Sequence, residues 1–383
     1  MTTTPSPLTV APAGPGVTDQ TFARHGAAGN ARLRWFVDGL AGALGAAGYE
    51  PRDAPAPDVQ VVLHTVDLDR PRPYRRRHAP TFVVAIAAVP VRPEDRLRAG
   101  YPVLVRALAN VVVLVSDDPP AAHFVTLEQG TTTIEHDRDD VFFARVFEQL
   151  APLASSRLVI ANEFRTDLEP ALRDGDEQTR QIERAGARLD ALHLLPNPFP
   201  IEELLSARDL RHVKLLYGIG GLSYGNLSAR RQPPADSGYG PEYWMSASGV
   251  DKAHLREVGR DVLLVRGYDP GRDAMILAVP PDVTPNRVSV DAIEHWMIYR
   301  EHPAVGAIVH VHAWIDGTTA TEIAYPCGTL ELADAVAGLV RQAPDPTRAV
   351  VGQRRHGLTI TGRDLDDIFE RIDGRIVPQV PMD

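Results

Sequence analysis

The run Ala307-Ile308-Val309-His310-Val311-His312-Ala313 constrains this chain more than any other stretch. It is apolar except for two histidines, short, and rich in β-branched residues, so it reads as a strand. Side chains two apart in a strand share a face, which sets the imidazoles of His310 and His312 side by side and sends Val309 and Val311 to the opposite face. Neutral imidazole is the commonest protein ligand for zinc and its neighbours, and three protein ligands with a fourth position open make a catalytic rather than a structural site. A third histidine, in His356-Gly357, is available downstream. The pair alone is more readily read as two partly buried histidines bonded to backbone or water, and both readings stay open at this point.

At 383 residues the chain exceeds the usual size of a single core, so two domains are expected. Hydrophobic content of 44% and charged content of 23% are those of an ordinary globular protein. The single cysteine, Cys327, excludes an internal disulfide and a cysteine-rich zinc site and suits a reducing compartment. Residues 1–16, rich in Thr, Pro, Ala and Gly without a charged leader, read as a disordered tail. No apolar stretch approaches the roughly 20 residues that span a bilayer, so a cytoplasmic location is expected. A net charge of −10 argues against nucleic acid as a partner and towards a small molecule. The basic residues are nearly all arginine. Lys214 and Lys252 are the lysines, one in a helical pattern and one in the polar turn Val250-Asp251-Lys252-Ala253. Schiff-base chemistry needs a lysine in an apolar pocket, so carbonyl activation is left to a metal.

Residues 17–155 alternate helix and strand patterns. Leu33, Val37, Leu40 and Leu44 recur at helical spacing within Asn30–Tyr49, and Val59–Val66, Thr81–Val89, Asn110–Val115 and His123–Glu128 are β-rich. Helices are expected over Pro93–Leu108 and about Asp139–Leu153. This is a small α/β domain whose role the sequence does not disclose. The stretch Gly26-Ala27-Ala28-Gly29 opens a helix but has no strand pattern before it and lacks dinucleotide-loop spacing. Arg75-Arg76-Arg77-His78 reads as a solvated loop. Residues 156–197 read as a connecting segment with a charged helix around Asp176–Leu192, closed by the proline-rich turn at 195–200. A second unit, 198–383, follows, with helices over 201–217, 290–300, 330–341 and 364–371.

Within that unit the motifs fall in a fixed order. Gly218-Ile219-Gly220-Gly221-Leu222-Ser223-Tyr224-Gly225-Asn226-Leu227-Ser228-Ala229-Arg230 precedes Ser246-Ala247-Ser248-Gly249-Val250. Ser289-Val290-Asp291 with His295 and Tyr299 comes next, then His310 and His312, Gly328-Thr329-Leu330-Glu331-Leu332, and His356-Gly357. Together they resemble the class II aldolase/adducin family, which includes L-fuculose-phosphate aldolase and L-ribulose-phosphate 4-epimerase. The resemblance covers about the last half of the chain. It implies an α/β/α catalytic domain preceded by the smaller α/β domain. His310, His312 and His356 would hold a divalent metal, zinc first, with Fe2+, Mn2+ or Co2+ as alternatives. Such an ion accepts a ketone and its neighbouring hydroxyl and spreads the charge of an enediolate.

The family places a catalytic glutamate at the start of the helix before the His-x-His strand. Asp291 stands there, one methylene shorter, and Glu294 is the substitute candidate one turn on. The bland alternative for Asp291 is a carboxylate favoured by the helix macrodipole. Asn226, Ser248, the Gly249 amide and Ser289 match positions that hold a substrate anion, a phosphate in the family. Ser228 and Arg230 read as supports of the turn, and His295 as packing against the metal strand. Two departures matter: the segment between His312 and Gly328 is short, so Tyr325 takes no catalytic assignment, and the chain stops soon after 364–371. The implied function is a metal-dependent lyase of aldolase type on a small hydroxylated, phosphorylated or carboxylated carbonyl compound. Decarboxylation, epimerisation, dehydration or non-heme iron oxygenation could use the same site, and a non-catalytic adducin-like module would not need the three histidines. The resemblance also implies a homo-oligomer, commonly a tetramer.

Overall fold

Between Thr21 and Glu135 β-branched runs alternate with amphipathic helices, and in the computed structural model they wind into one sheet. The structure describes residues 20–382 apart from 57, 78–80, 197, 198, 200, 218–222 and 233–237. The tail expected at 1–16, as well as His78 and Gly218, Gly220 and Gly221, lies outside the described residues. The chain divides into two units: 1–126 with 132–150, and 127–131 with 151–383.

The first unit holds β1 (Thr21–His25), α1 (Ala31–Ala46), β2 (Glu50–Arg52), β3 (Val61–Thr65), β4 (Phe82–Val91), α2 (Arg96–Ala107), β5 (Val111–Asp118), β6 (Pro120–Thr126), β7 (Gly130–Glu135) and α3 (Asp139–Ser155). Its sheet runs β2-β1-β3-β4-β5-β6-β7, parallel from β2 through β5 and antiparallel from β5 to β6. Val83 to Ala87 and Val111 to Val115 are all buried, as continuous apolar runs are when helices cover both faces of a parallel sheet. In α1 the residues read from the sequence, Leu33, Val37, Leu40 and Leu44, form the buried stripe with Phe36, and the Asn30 side chain accepts the Leu33 N–H as N-cap. A strand does precede Gly26-Ala27-Ala28-Gly29. β1 was hidden from the sequence because it is short and ends on Arg24 and His25, both exposed. The Arg75–Arg77 loop is partly tied down, since Arg76 donates to Leu108 O and Asn110 Oδ1.

The second unit continues with β8 (Ala161–Arg165), α4 (Glu177–Ala191), α5 (Ile201–Leu204), α6 (Ala207–Tyr217), β9 (Asn226–Arg230), β10 (Tyr243–Ser246), β11 (Val262–Asp269), β12 (Ala274–Ala278), α7 (Ala292–Glu301), β13 (Ala307–Val311), α8 (Leu330–Gln342), β14 (Val350–Gln353), β15 (Gly357–Gly362) and α9 (Leu365–Ile372). The sheet order is β14-β15-β13-β9-β10-β11-β12-β8, antiparallel except for β8 against β12. Residues 156–197, read as a connector, thus contribute an edge strand and a packed helix. The helix expected over 201–217 is two, because the Ser206 hydroxyl takes the Asp209 N–H and starts α6 afresh.

Two apolar clusters sandwich this sheet. On one face Tyr243, Met245, Leu263, Val265 and Ile308 pack against Ile293, Trp296 and Ile298 of α7 and Leu332, Val336 and Val340 of α8. On the other, Trp244, Leu264, Val309 and Val311 pack against Ile182 and Leu189 of α4 and Ile368 and Phe369 of α9. The architecture is α/β, with helices on both faces of the second sheet. Strand alternation therefore commits His310 to the α7 face, opposite Val309 and Val311, as its sequence position requires.

Candidate metal centre

His310 lies on β13, His312 just past its end, and His356 in the turn joining β14 to β15. β13 pairs with β15 in a register that sets Val311 opposite Leu358, so the turn arrives beside His312. Gly357 makes that approach possible: a Cβ there would stand 2.2 Å from Val311 O. Gly225 does the same on the other flank, since it has φ +73° and a Cβ would stand 2.5 Å from His310 O.

The three rings converge. Centroids are 5.1 Å apart for His310 and His312, 5.0 Å for His310 and His356, and 4.6 Å for His312 and His356. His312 Nε2 and His356 Nε2 face each other at 3.1 Å. His310 Nδ1 donates to Leu358 O at 3.1 Å, which fixes the tautomer and leaves Nε2 as a lone pair, buried and without a partner. Two nitrogens at about 2.0–2.1 Å from one tetrahedral Zn2+ stand ~3.3 Å apart, close to the His312–His356 spacing. Burial lowers the pKa of all three, with the neighbouring histidines adding to it for His312 and His356 and Asp291 opposing it for His310. The neutral form that results is the one that ligates. These three residues could hold a metal ion, and the orphaned lone pair on a buried imidazole is what fits them to one.

Carboxylates flank the cluster. Asp291 is the N-cap residue of α7, yet its side chain caps nothing. It is 4% exposed; Oδ2 accepts from Asn226 Nδ2 at 2.7 Å and lies 4.0 Å from His310 Nε2, and Oδ1 has no partner. Glu294 is bound on both oxygens, by Gln353 Nε2 at 2.8 Å and Thr359 Oγ1 at 2.5 Å, and burial together with the Asp291 charge pushes its pKa well above the usual carboxyl range. Of the two, Asp291 carries the uncommitted oxygen.

Of the remaining sequence-derived residues, Asn226 is tied to this centre through Asp291. Asn226 is buried opposite His310 in the β9–β13 register, and its amide points to Asp291. Ser248 and Ser289 use their backbone N–H groups on Arg287 O and Ser246 O, and Gly249 sits at φ +69°. Ser228 Oγ bonds His295 Nδ1 at 2.7 Å and Tyr299 Oη at 2.8 Å, while the Arg230 guanidinium donates to Val305 O, Tyr299 O and His302 O. The bonds of Ser228 and Arg230 thus run to α7 and the turn after it, and His295 is outside the metal-holding group.

Sequence reasoning missed several neighbours. Lys252 is not a solvated turn residue. It is 2% exposed, Nζ donates to Ser223 O at 2.7 Å, and burial lowers its pKa to about 8 against the opposing pull of Asp291. Its sequence signal, a lysine following Ser-Gly-Val-Asp, gives no hint of depth because a short 3-10 turn over Lys252–His254 folds it inward. Tyr224 packs its ring 5.4 Å from His312, and Gln353 and Thr359 anchor Glu294. Tyr325 packs at the edge of the α7–α8 cluster.

Residues 210–323 match the family model described as Class II Aldolase and Adducin N-terminal domain, a span that includes His310 and His312 but not His356. No curated protein matches the chain. Among solved structures, L-fuculose 1-phosphate aldolase aligns at 16% identity over 52% of this chain and 81% of its own, with a TM-score of 0.34. An aldolase II superfamily protein from Pseudomonas syringae aligns at 16% over 52% and 72%, TM-score 0.33. YgbL from Klebsiella pneumoniae aligns at 16% over 51% and 84%, also with a TM-score of 0.33.

Proposed function

We propose, on the premise that residues 210–323 belong to the class II aldolase/adducin family, that the second unit is a metal-dependent lyase making or breaking a carbon–carbon bond next to a carbonyl. The observation that carries this reading is the convergence of three neutral imidazoles beside a buried aspartate with one uncommitted oxygen. His310, His312 and His356 hold the ion, and an all-nitrogen set favours Zn2+ over harder cations, with Fe2+, Mn2+ or Co2+ as competitors. When bound, the ion supplies a Lewis acid for the negative charge that develops on the substrate oxygens as the bond breaks.

The protein's own groups do the rest. Asp291 moves the proton through Oδ1, the oxygen left free because Asn226 holds Oδ2. Glu294, with both oxygens engaged, positions β14 and β15 against α7 rather than reaching the substrate. Asn226, Ser248, the Gly249 amide and Ser289 bind the anionic end of a small hydroxylated substrate, a phosphate or a carboxylate. The same family reading takes the protein to be a homo-oligomer, a tetramer by resemblance, which sedimentation velocity measures.

The test is metal analysis of the purified protein together with a screen of phosphorylated and carboxylated ketoses for cleavage into carbonyl fragments. Cleavage that chelator removes and Zn2+ restores is expected. Full activity after exhaustive chelation would sink the proposal, and oxygen uptake by the iron-loaded protein would replace the lyase with an oxygenase.

A further inference from the structure

The two nitrogens of His356 have different surroundings. Nε2 faces His312, whereas Nδ1 is buried and has no hydrogen-bond partner. Glu128 Oε1 lies 3.7 Å from that Nδ1. Glu128 belongs to the short stretch 127–131 that folds with the second unit, although its flanking residues are part of the first.

This stretch is built to stay in place. Glu128 Oε1 accepts the Cys327 backbone N–H at 2.5 Å, and Gln129 Nε2 donates to Ala324 O and Tyr325 O, each at 3.1 Å. Gly130 sits at φ +63° where a Cβ would stand 2.5 Å from the Phe199 ring, so the turn requires glycine on both steric and backbone grounds. Glu128, Cys327 and His356 could themselves form a second cation group. That alternative asks one imidazole to serve two ions, and the half-buried Cys327 thiol, desolvated and facing the charges of Glu128 and Asp291, resists giving up its proton.

We propose that Glu128 is the positioning residue of His356: its carboxylate accepts the His356 Nδ1–H, fixing the tautomer in which the Nε2 lone pair points at the centre shared with His310 and His312. The 3.7 Å separation is about 0.5 Å beyond hydrogen-bond length. A ligating histidine ordinarily donates its second N–H to a carboxylate or a carbonyl, which orients the ring and raises its basicity. Leu358 O already does this for His310. Glu128 does it for His356 from a segment remote in sequence, so the stretch 127–131 completes the metal site. The proposal rests on the reading of the three histidines as metal ligands.

The test is Zn2+ affinity of the full-length protein by chelator competition, with nitrogen-15 NMR of the histidine rings in the zinc-loaded state, for wild type, Glu128→Ala, Glu128→Gln and His312→Ala. Glu128→Ala should bind the same amount of zinc roughly 10- to 100-fold more weakly and lose the hydrogen-bonded Nδ1–H signal of His356. Glu128→Gln, which keeps an acceptor of the same length, should recover the signal and part of the affinity. If Glu128→Ala holds zinc as tightly as wild type with the His356 signal unmoved, the positioning role is overturned while the metal centre stands. Zinc bound by wild type and His312→Ala alike, or by neither, would overturn the metal reading and this inference with it.

Discussion

In the first unit His25 and His64 face each other with Nδ1 atoms 3.0 Å apart and ring centroids 4.8 Å apart; in the second, His312 and His356 do so at 3.1 Å and 4.6 Å. The spacing is nearly the same, and the surroundings are not. His64 is buried with both nitrogens engaged, Nε2 donating to Arg72 O at 2.8 Å, and His25 is exposed, its ring centroid 5.0 Å from that of Tyr74 in a T-shaped contact. Among the described residues no third ligand joins them in a metal-holding group. The second pair has a third imidazole with an orphaned buried lone pair, an aspartate 4.0 Å from it and a buried ammonium nearby. Proximity of two histidines is thus cheap for a fold to produce. What marks this site is buried polar capacity left unspent where three imidazoles converge, an arrangement that folded proteins rarely leave without a ligand.

The comparison breaks most directly at His312. His312→Ala should abolish bound metal and turnover together, whereas His64→Ala should leave the metal content of purified protein unchanged; elemental analysis of both variants decides it. If the His64 variant loses metal instead, the two clusters have been assigned the wrong way round. Next in size is Asp291→Asn. The variant keeps the Asn226 contact and the shape of the site but cannot move a proton, so turnover should fall by ~10²–10⁴-fold with metal retained. Undiminished turnover would transfer the acid/base role to Glu294.

How much of this was legible depended on the range of the interaction. The common face of His310 and His312 follows from strand periodicity, a local property, and so do the buried stripe of α1 and the division of Val309 from His310. The arrival of His356 needed the β13–β15 register, which no local pattern carries; the ordered motifs supplied it only through resemblance. Glu128 was read as the end of a strand because nothing in Thr126-Leu127-Glu128-Gln129-Gly130 says that the turn folds with residues 324–327. Lys252 failed for the opposite reason: a lysine beside an aspartate is ordinarily solvated, and here it is buried with Nζ donating to Ser223 O, a contact remote in sequence. β1 escaped because the five residues Thr21–His25 expose their last two.

The buried ammonium gives a smaller, pH-dependent effect. Below pH 8 Lys252 is charged in both folded and unfolded chains, and the folded state bears the full burial penalty. As pH rises from about 8 towards the unfolded value of 10.5, the folded state sheds its proton first and the penalty fades. Wild type should therefore gain stability relative to Lys252→Met over this window, by at most ~3 kcal/mol, read from denaturant midpoints at a series of pH values. A gap independent of pH would mean that Lys252 sits in water, and the contrast in buried polar capacity between the two clusters would be weaker than drawn.

The smallest effect belongs to the first pair. Removing the exposed His25 ring leaves the Nδ1 of His64 to find water, while its bond to Arg72 O is kept, so His25→Ala should cost ~1 kcal/mol, seen as faster hydrogen exchange of β1 and β3 amides. The pH dependence has a definite sign. Burial and the neighbouring His64 lower the pKa of His25 below its ordinary 6.5, so the folded state takes up the proton less readily than the unfolded one. Wild type then loses stability as pH falls through that value, and His25→Ala does not, which makes the cost of the substitution shrink on acidification. A pair that held a metal would also lose stability in acid, which strips the ion, so the discriminating readout is zinc: at neutral pH added Zn2+ would slow exchange in β1 and β3 of wild type while leaving the variant unaffected. Zinc-insensitive exchange in β1 and β3, alongside zinc-dependent exchange in β13 and β15, is the pattern that separates a satisfied histidine pair from a site.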